Sequence, residues 1–155
     1  MPLKPGDKGP DFTLLDQNGN PFTLSKHVKE MKVRTLIYFY PKADTGGCTQ
    51  QACGLRDVAG QVGDTAIVGI SPDPPAKQSR FDQKHGLGFP LLADQDHAVA
   101  DAYGVWGEKS MYGKRYMGII RSAFLVDGKG RIEEAWYKVS PKDTSVNLLA
   151  SVGAG

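Results

Sequence analysis

Apolar residues recur along this chain with two different periods. Residues 33–40, VRTLIYFY, and 65–71, TAIVGIS, are runs of β-branched and aromatic residues with little polar alternation. That is the pattern of strands buried on both faces. Strand geometry puts Tyr38 and Tyr40 on one face of the first run and Phe39 on the other. FPLLAD at 89–94, IIRSAFLVD at 119–127 and RIEEAWYKV at 131–139 predict further strands, the last two joined by the turn DGKG. Near the front, DFTLLDQNGNPFTL at 11–24 predicts a hairpin turning at Asn18-Gly19.

Helical stretches separate these runs. SKHVKE predicts a short helix, and a longer one runs from about Thr45 to Val62. DPPAKQSRFDQKHG, 73–86, is well punctuated, with Asp73 as cap, Pro74 in the first turn and Gly86 after the end. DHAVADAYG gives a short helix closed by Gly104, and a last helix spans about Pro141 to Ser151. Residues 105–118, VWGEKSMYGKRYMG, read as a loop. Strands alternating with helices, then a terminal hairpin, predict an α/β fold. It has a central mixed β-sheet flanked by helices and an N-terminal β-hairpin, in one domain over residues 1–155.

Composition narrows the function. The 155 residues carry 19 basic and 17 acidic side chains, a formal charge of +2. The basic residues are scattered, so neither nucleic acid nor an anionic membrane surface is an expected partner. The start, MPLKPGDKGPDF, has no apolar signal core, and no stretch approaches a membrane span, so a cytoplasmic protein is expected. Two cysteines in such a chain point to catalysis, redox sensing or metal binding rather than a disulfide scaffold.

Both cysteines lie in YFYPKADTGGCTQQACGLRD, residues 38–57. With Thr45 as cap, Gly46 and Gly47 open the helix and Cys48 is its third residue. The leading N–H groups of a helix have no internal partner, and the dipole is positive there, which stabilises a thiolate. The two glycines let a small substrate approach the amides. Cys48 is thus placed to be a nucleophile, although a small buried core residue would fit the same pattern. Cys53 follows by five residues, about 7.5 Å of helical rise and about 140° of rotation. A disulfide wants Cα atoms within about 7 Å, so an intact helix forbids a 48–53 bond and its first turns must unwind if one forms. Such a cycle would oxidise Cys48 to a sulfenic acid that Cys53 condenses with. The competing reading of Cys53 is a core residue on the inner helix face. A zinc or copper site lacks its remaining ligands, because His27, His85 and His97 are dispersed and read as surface or capping residues.

The motif PKADTGGC, 41–48, resembles the peroxiredoxin pattern P-x-x-x-T-x-x-C. The continuation TQQACGLRD is similar to the peroxiredoxin Q branch, also called bacterioferritin comigratory protein. The likeness extends through KPGDKGPDFTLLDQNGN, VGISPD, FPLLAD, YGVWGEKSMYGK and GIIRSAFLVDGKGRI. This resemblance implies a thioredoxin-like fold and reduction of hydrogen peroxide and organic hydroperoxides without metal, haem or flavin. It implies thioredoxin or a similar dithiol as reductant. Cys48 falls at the peroxidatic cysteine and Cys53 at the resolving one. Pro41 falls at the shielding proline and Thr45 at the threonine that bonds peroxide and thiolate. Arg121 falls at the arginine that supports the thiolate. The Gly47 and Cys48 amides, with Thr45 and Arg121, would hold the peroxide oxygens. One departure is Gly46, where this branch commonly has proline; glycine leaves the first turn looser.

Two rivals share the cysteine switch. A general thioredoxin-like disulfide reductase is disfavoured by the absence of C-x-x-C. A non-catalytic redox sensor or interaction protein would be oxidised stoichiometrically rather than turn over. Resolution within one chain removes the need for a partner subunit, so a monomer is expected. VWGEKSMYG is also a candidate partner-docking loop, and YFY a candidate lining of the substrate entrance; packing is the alternative for both.

Overall fold

The structure, a computed structural model, describes residues 2–152. Nine strands and five α-helices alternate in chain order: β1 (Thr13–Leu15), β2 (Pro21–Thr23), α1 (Leu24–Met31), β3 (Thr35–Phe39), α2 (Gly46–Val58), β4 (Ala66–Ser71), α3 (Pro75–His85), β5 (Leu91–Ala93), α4 (Ala98–Ala102), β6 (Trp106–Met111), β7 (Lys114–Ile119), β8 (Ser122–Val126), β9 (Ile132–Trp136) and α5 (Asp143–Val152). Seven strands form one mixed sheet in the order β2-β1-β5-β4-β3-β8-β9. β3, β4 and β5 run parallel, and β8 joins β3 antiparallel, with Tyr38 opposite both Gly69 and Ala123. The sheet is the one the apolar runs predict, with the front hairpin added at one edge through Leu15 and Ala93.

β3 lies in the middle, and all five of its residues are buried. Its alternation divides the core. Ile37 and Phe39 pack with Val68, Ile70, Phe124, and Leu24 and Val28 of α1. Leu36, Tyr38 and Tyr40 pack with Ala123, Leu125, Phe81 of α3, Leu148 of α5 and the inner face of α2. The predicted split of Tyr38 and Tyr40 from Phe39 is therefore observed. Helices α2, α3 and α5 cover one face; α1 and α4 cover the other.

The buried residues of α2 are Cys48, Gln51, Ala52 and Leu55, the i, i+3, i+4, i+7 stripe of a helix lying on a sheet. Full burial of a side chain such as Leu55 contributes about 1.5–3 kcal/mol. The body of the helix is anchored this way. Its first turn, Gly46-Gly47-Cys48, buries only the cysteine and carries two glycines, which add no side chain to pack and leave the backbone freer than other residues would. The first turn is thus the least anchored part of the helix.

Three elements differ from the sequence reading. Residues 105–118 form no loop but the hairpin β6–β7, a second, two-stranded sheet. Lys109 faces Tyr116, and Met111 faces Lys114. Both turn residues, Tyr112 and Gly113, have positive φ, 51° and 80°, as a two-residue primed turn requires. Its strands are largely exposed, so the buried-face alternation that marks a strand is missing. Asp73 does not cap α3. Pro75 is the first helical residue and Pro74 holds the extended cap position, so Asp73 lies one residue too early. Its carboxylate instead accepts from the Ser71 hydroxyl at 2.7 Å and the Ala43 amide at 2.6 Å. Arg121 lies in the two-residue link between β7 and β8 rather than within a strand. Gly86 does close α3, in the left-handed conformation, φ 57°. Among the described residues no helix is long and apolar enough to cross a membrane.

Candidate active site

β3 runs through the middle of the sheet and delivers the chain at Tyr40 into the loop 41–45. Two acidic contacts hold that loop. Asp73 takes the Ala43 amide. Asp44, at φ 61°, pairs with Lys84 at 3.0 Å and His85 at 3.1 Å on the last turn of α3. The Lys84 ammonium and the His85 ring both hydrogen-bond the Asp44 carboxyl and hold it below its ordinary range. Pro41 opens this loop and is half-buried.

Thr45 occupies the cap position of α2 with extended backbone, and its carbonyl accepts from the Thr49 amide at 2.8 Å. Its side chain does not cap the helix: the hydroxyl is exposed and donates to the Lys42 carbonyl at 2.9 Å. Cys48 follows in the first turn, only 1% exposed. The amides that precede and include it are those a helix leaves unpaired.

Arg121 reaches this turn from the far side. Its Nη1 stands 3.5 Å from the Cys48 sulfur and donates to Gln51 Oε1 at 2.7 Å. Gln51 is fully buried and donates in turn to the Thr144 hydroxyl at 2.9 Å, which donates to the Ser140 carbonyl at 3.0 Å. A relay from α5 through α2 therefore fixes the guanidinium over the sulfur. Gly47 is part of the same fit. A Cβ there would lie 3.0 Å from Arg121 Nη2 and 3.3 Å from Pro141 Cγ, whereas one at Gly46 meets nothing within 4 Å.

Gln51 is a residue of this constellation that the sequence reading missed. Its signal was present: it is a polar residue three positions after Cys48, on the apolar stripe of the helix, and a buried amide there must find partners.

Beneath the sulfur lie two buried phenols. Burial pushes the hydroxyls of Tyr38 and Tyr40 well above the ordinary phenol range, and the Cys48 sulfur adds to this. Both stay protonated, so neither serves as a base here. Tyr40 donates to Gln78. Tyr38 lies over Gly69, where a Cβ would fall 2.9 Å from its ring.

Cys53 sits on the same unbroken helix, half-buried against the Tyr38 cluster, and both thiols are free. None of the three histidines hydrogen-bonds the Cys48 sulfur. His27 meets the Thr35 hydroxyl, His85 pairs with Asp44, and His97 pairs with Asp101 while stacking on Trp106 at 3.8 Å. The structure thus brings Cys48 and Arg121 together, adds Gln51, and places Thr45 and Pro41 on the adjoining loop and Cys53 farther along the helix.

A near-fully buried thiol at a helix N-terminus, faced by a fixed cation, is the arrangement of a thiol-dependent oxidoreductase. The chain belongs to the AhpC/TSA family, which it matches over residues 5–135. Within that family its similarity is to peroxiredoxins of the Q, or Bcp, branch. It is 50% identical to peroxiredoxin Bcp of Escherichia coli over 137 residues, 87% of this chain and 86% of that protein. The crystal structure of peroxidoxin BcpB from Mycobacterium tuberculosis superposes with a TM-score of 0.85 at 34% identity, over 98% of this chain and 97% of that one. The bacterioferritin comigratory protein of Xanthomonas campestris, studied for alkyl peroxide reduction, gives 0.84 at 34% identity, over 92% of this chain and 90% of that one. The fold is the thioredoxin-like one expected from the sequence.

Proposed function

We propose that this chain reduces hydrogen peroxide and organic hydroperoxides through Cys48, with Cys53 as resolving thiol. The observation that carries the reading is the guanidinium of Arg121, 3.5 Å from the Cys48 sulfur and braced by Gln51. The Cys48 thiolate attacks one peroxide oxygen in line. The O–O bond breaks, the sulfur keeps one oxygen as sulfenic acid, and the other leaves as an alkoxide or hydroxide that takes a proton. Arg121 and the amides of Gly47 and Cys48 face the oxygens on which that charge develops. Thr45 adds a hydroxyl once it turns from the Lys42 carbonyl, and Pro41 shields the sulfur. The alkyl peroxide activity of the Xanthomonas relative supports the organic substrates.

The second step needs movement. Cys53 lies five residues along an intact helix, so the glycine-led first turn must open before its thiolate attacks the Cys48 sulfur. The S–O bond then breaks, the oxygen leaves as water with one proton, and a 48–53 disulfide remains. Thioredoxin or a similar dithiol returns both thiols. The chain acts as a cytoplasmic monomer in a single domain.

Rapid-quench mass spectrometry of the reduced protein with one equivalent of hydrogen peroxide tests this. Expected is oxygen addition at Cys48 far faster than at free cysteine, then a 48–53 disulfide. Slow, simultaneous oxidation of both thiols would refute it and leave a redox sensor as the better reading.

A further inference from the structure

The hairpin β6–β7 has no part in the chemistry above, yet one of its side chains turns back toward the site. Lys109 lies half-buried on β6, its stem along the bare backbone of Gly118, where an added Cβ would sit 3.2 Å from Lys109 Cδ. Its ammonium donates to the Ile119 carbonyl at 2.8 Å. Ile119 is the first of three residues that lead into Arg121.

Each carbonyl of that short run is held by a different donor. Ile119 is held by Lys109, Ile120 by the Ser122 hydroxyl at 2.9 Å, and Arg121 by the Val139 amide at 2.9 Å. The Ile120 side chain fills the space over Gly107, where a Cβ would lie 2.7 Å from Ile120 Cδ1, and its amide donates to the Val105 carbonyl. The backbone carrying the guanidinium is therefore clamped at every residue. Only one of the three clamps is charged. A neutral donor would satisfy a carbonyl equally well, and partly desolvating an ammonium is costly unless an anion repays it.

Of the groups that act on Lys109, Cys48 alone would favour its charge, and only once ionised. Burial lowers the basicity of Lys109 and the Arg121 charge lowers it further, while the Cys48 sulfur works in the opposite direction. The ammonium is thus within electrostatic reach of both. The other groups near the sulfur carry no charge: Gln51 on α2, and the protonated Tyr38 and Tyr40 on β3. Asp73, which acts on Tyr40, is tied to Ser71 and the Ala43 amide. Among the described residues no carboxylate pairs with Lys109.

We propose that Lys109 is a positioning residue of the peroxide site: its charge joins that of Arg121 in holding the Cys48 sulfur as thiolate, and its ammonium fixes the backbone that carries Arg121. The hairpin is then part of the active site rather than only a surface feature. This rests on the peroxidatic reading of Cys48.

The test uses the full chain in a Cys53→Ser background, so that Cys48 is the one thiol. Ultraviolet thiolate absorbance across the neutral range and the rate of first oxidation by hydrogen peroxide are measured for Lys109→Met, Lys109→Gln and Lys109→Arg. Lys114→Met, exposed on the same hairpin, is the control. Met and Gln variants should both lose thiolate near neutrality and oxidise about three- to tenfold more slowly. Arg should restore both readouts, and the control should match the parent. If Gln behaves as the parent while Met falls, the clamp acts without its charge and the proposal is overturned. Parental thiolate and rate in both Met and Gln overturn it as well. If Met disturbs the fold, judged by circular dichroism, Gln against Arg decides alone. Should Cys48 of the parent oxidise no faster than free cysteine, the peroxidase reading fails, while the thiolate comparison still judges Lys109.

Discussion

Arg121 is held in place by Gln51: its Nη1 donates to the Gln51 amide oxygen at 2.7 Å, and the same nitrogen faces the Cys48 sulfur. The cation that faces the thiol is thus oriented by a neutral amide from the very helix whose N-terminus carries that thiol. A carboxylate in that position would cancel part of the charge; an amide orients without cancelling.

Replacing Gln51 by leucine should free the guanidinium. First-step oxidation by hydrogen peroxide, followed by stopped-flow fluorescence, should slow by about tenfold to a hundredfold, the scale of a misplaced catalytic group. Stability should fall by only about 1 kcal/mol, because the Thr144 hydroxyl keeps its bond to Ser140 and the partly exposed Arg121 finds water. A large loss of stability with an unchanged oxidation rate would show that Gln51 serves packing alone.

Arg121→Ala should slow the same step by about a hundredfold or more, the range seen when one donor to a developing oxyanion is removed. The thiolate absorbance of Cys48 should fall with it. An unchanged rate constant would take Arg121 out of the site.

The two glycines before Cys48 should respond in opposite ways. At Gly47 a methyl group would press on Arg121 Nη2 and Pro141, so Gly47→Ala should reduce peroxidase activity. At Gly46 the space is open, the position is the first of the helix, and Thr45 before it is already extended, at φ −91° and ψ 161°. Proline fits there. Gly46→Pro should stabilise the reduced protein by about 0.4–1 kcal/mol and slow 48–53 disulfide formation without slowing the first oxidation. Denaturant midpoints and single-turnover mass spectrometry separate the two effects.

His27 makes stability depend on pH. Partial burial lowers its basicity below the ordinary value of 6.5, with Glu30 opposing, and its ring meets the Thr35 hydroxyl. The unfolded chain therefore takes up this proton first as pH falls. The stabilisation is complete above 6.5 and is lost as pH drops through the lower folded value. Urea midpoints in neutral and mildly acidic buffer should show a decline that is shallower in His27→Gln, which keeps a neutral partner for Thr35. An identical slope in both proteins would assign the decline to other groups.

The sequence by itself determined the sheet, the order of its helices and the place of Cys48 at a helix N-terminus. Buried strands such as 35–39 are legible because residues covered on both faces must be apolar, and strand alternation alone divides Tyr38 and Tyr40 from Phe39. Cys48 is legible because capping and glycine preferences are local, and the field at a helix end depends on nothing distant. The hairpin 106–119 was not, because strands exposed to water carry no apolar alternation, and Tyr112, 98% exposed at positive φ, is an unusual turn residue. Tertiary structure alone decided the partners: Gln51 under Arg121, Asp73 on the Ala43 amide, Lys109 on the Ile119 carbonyl. Arg121 is 73 positions from Cys48 in the chain. A hydrogen bond has direction and a range of about 3 Å, so which groups meet is settled only when the packed core brings distant elements to that distance.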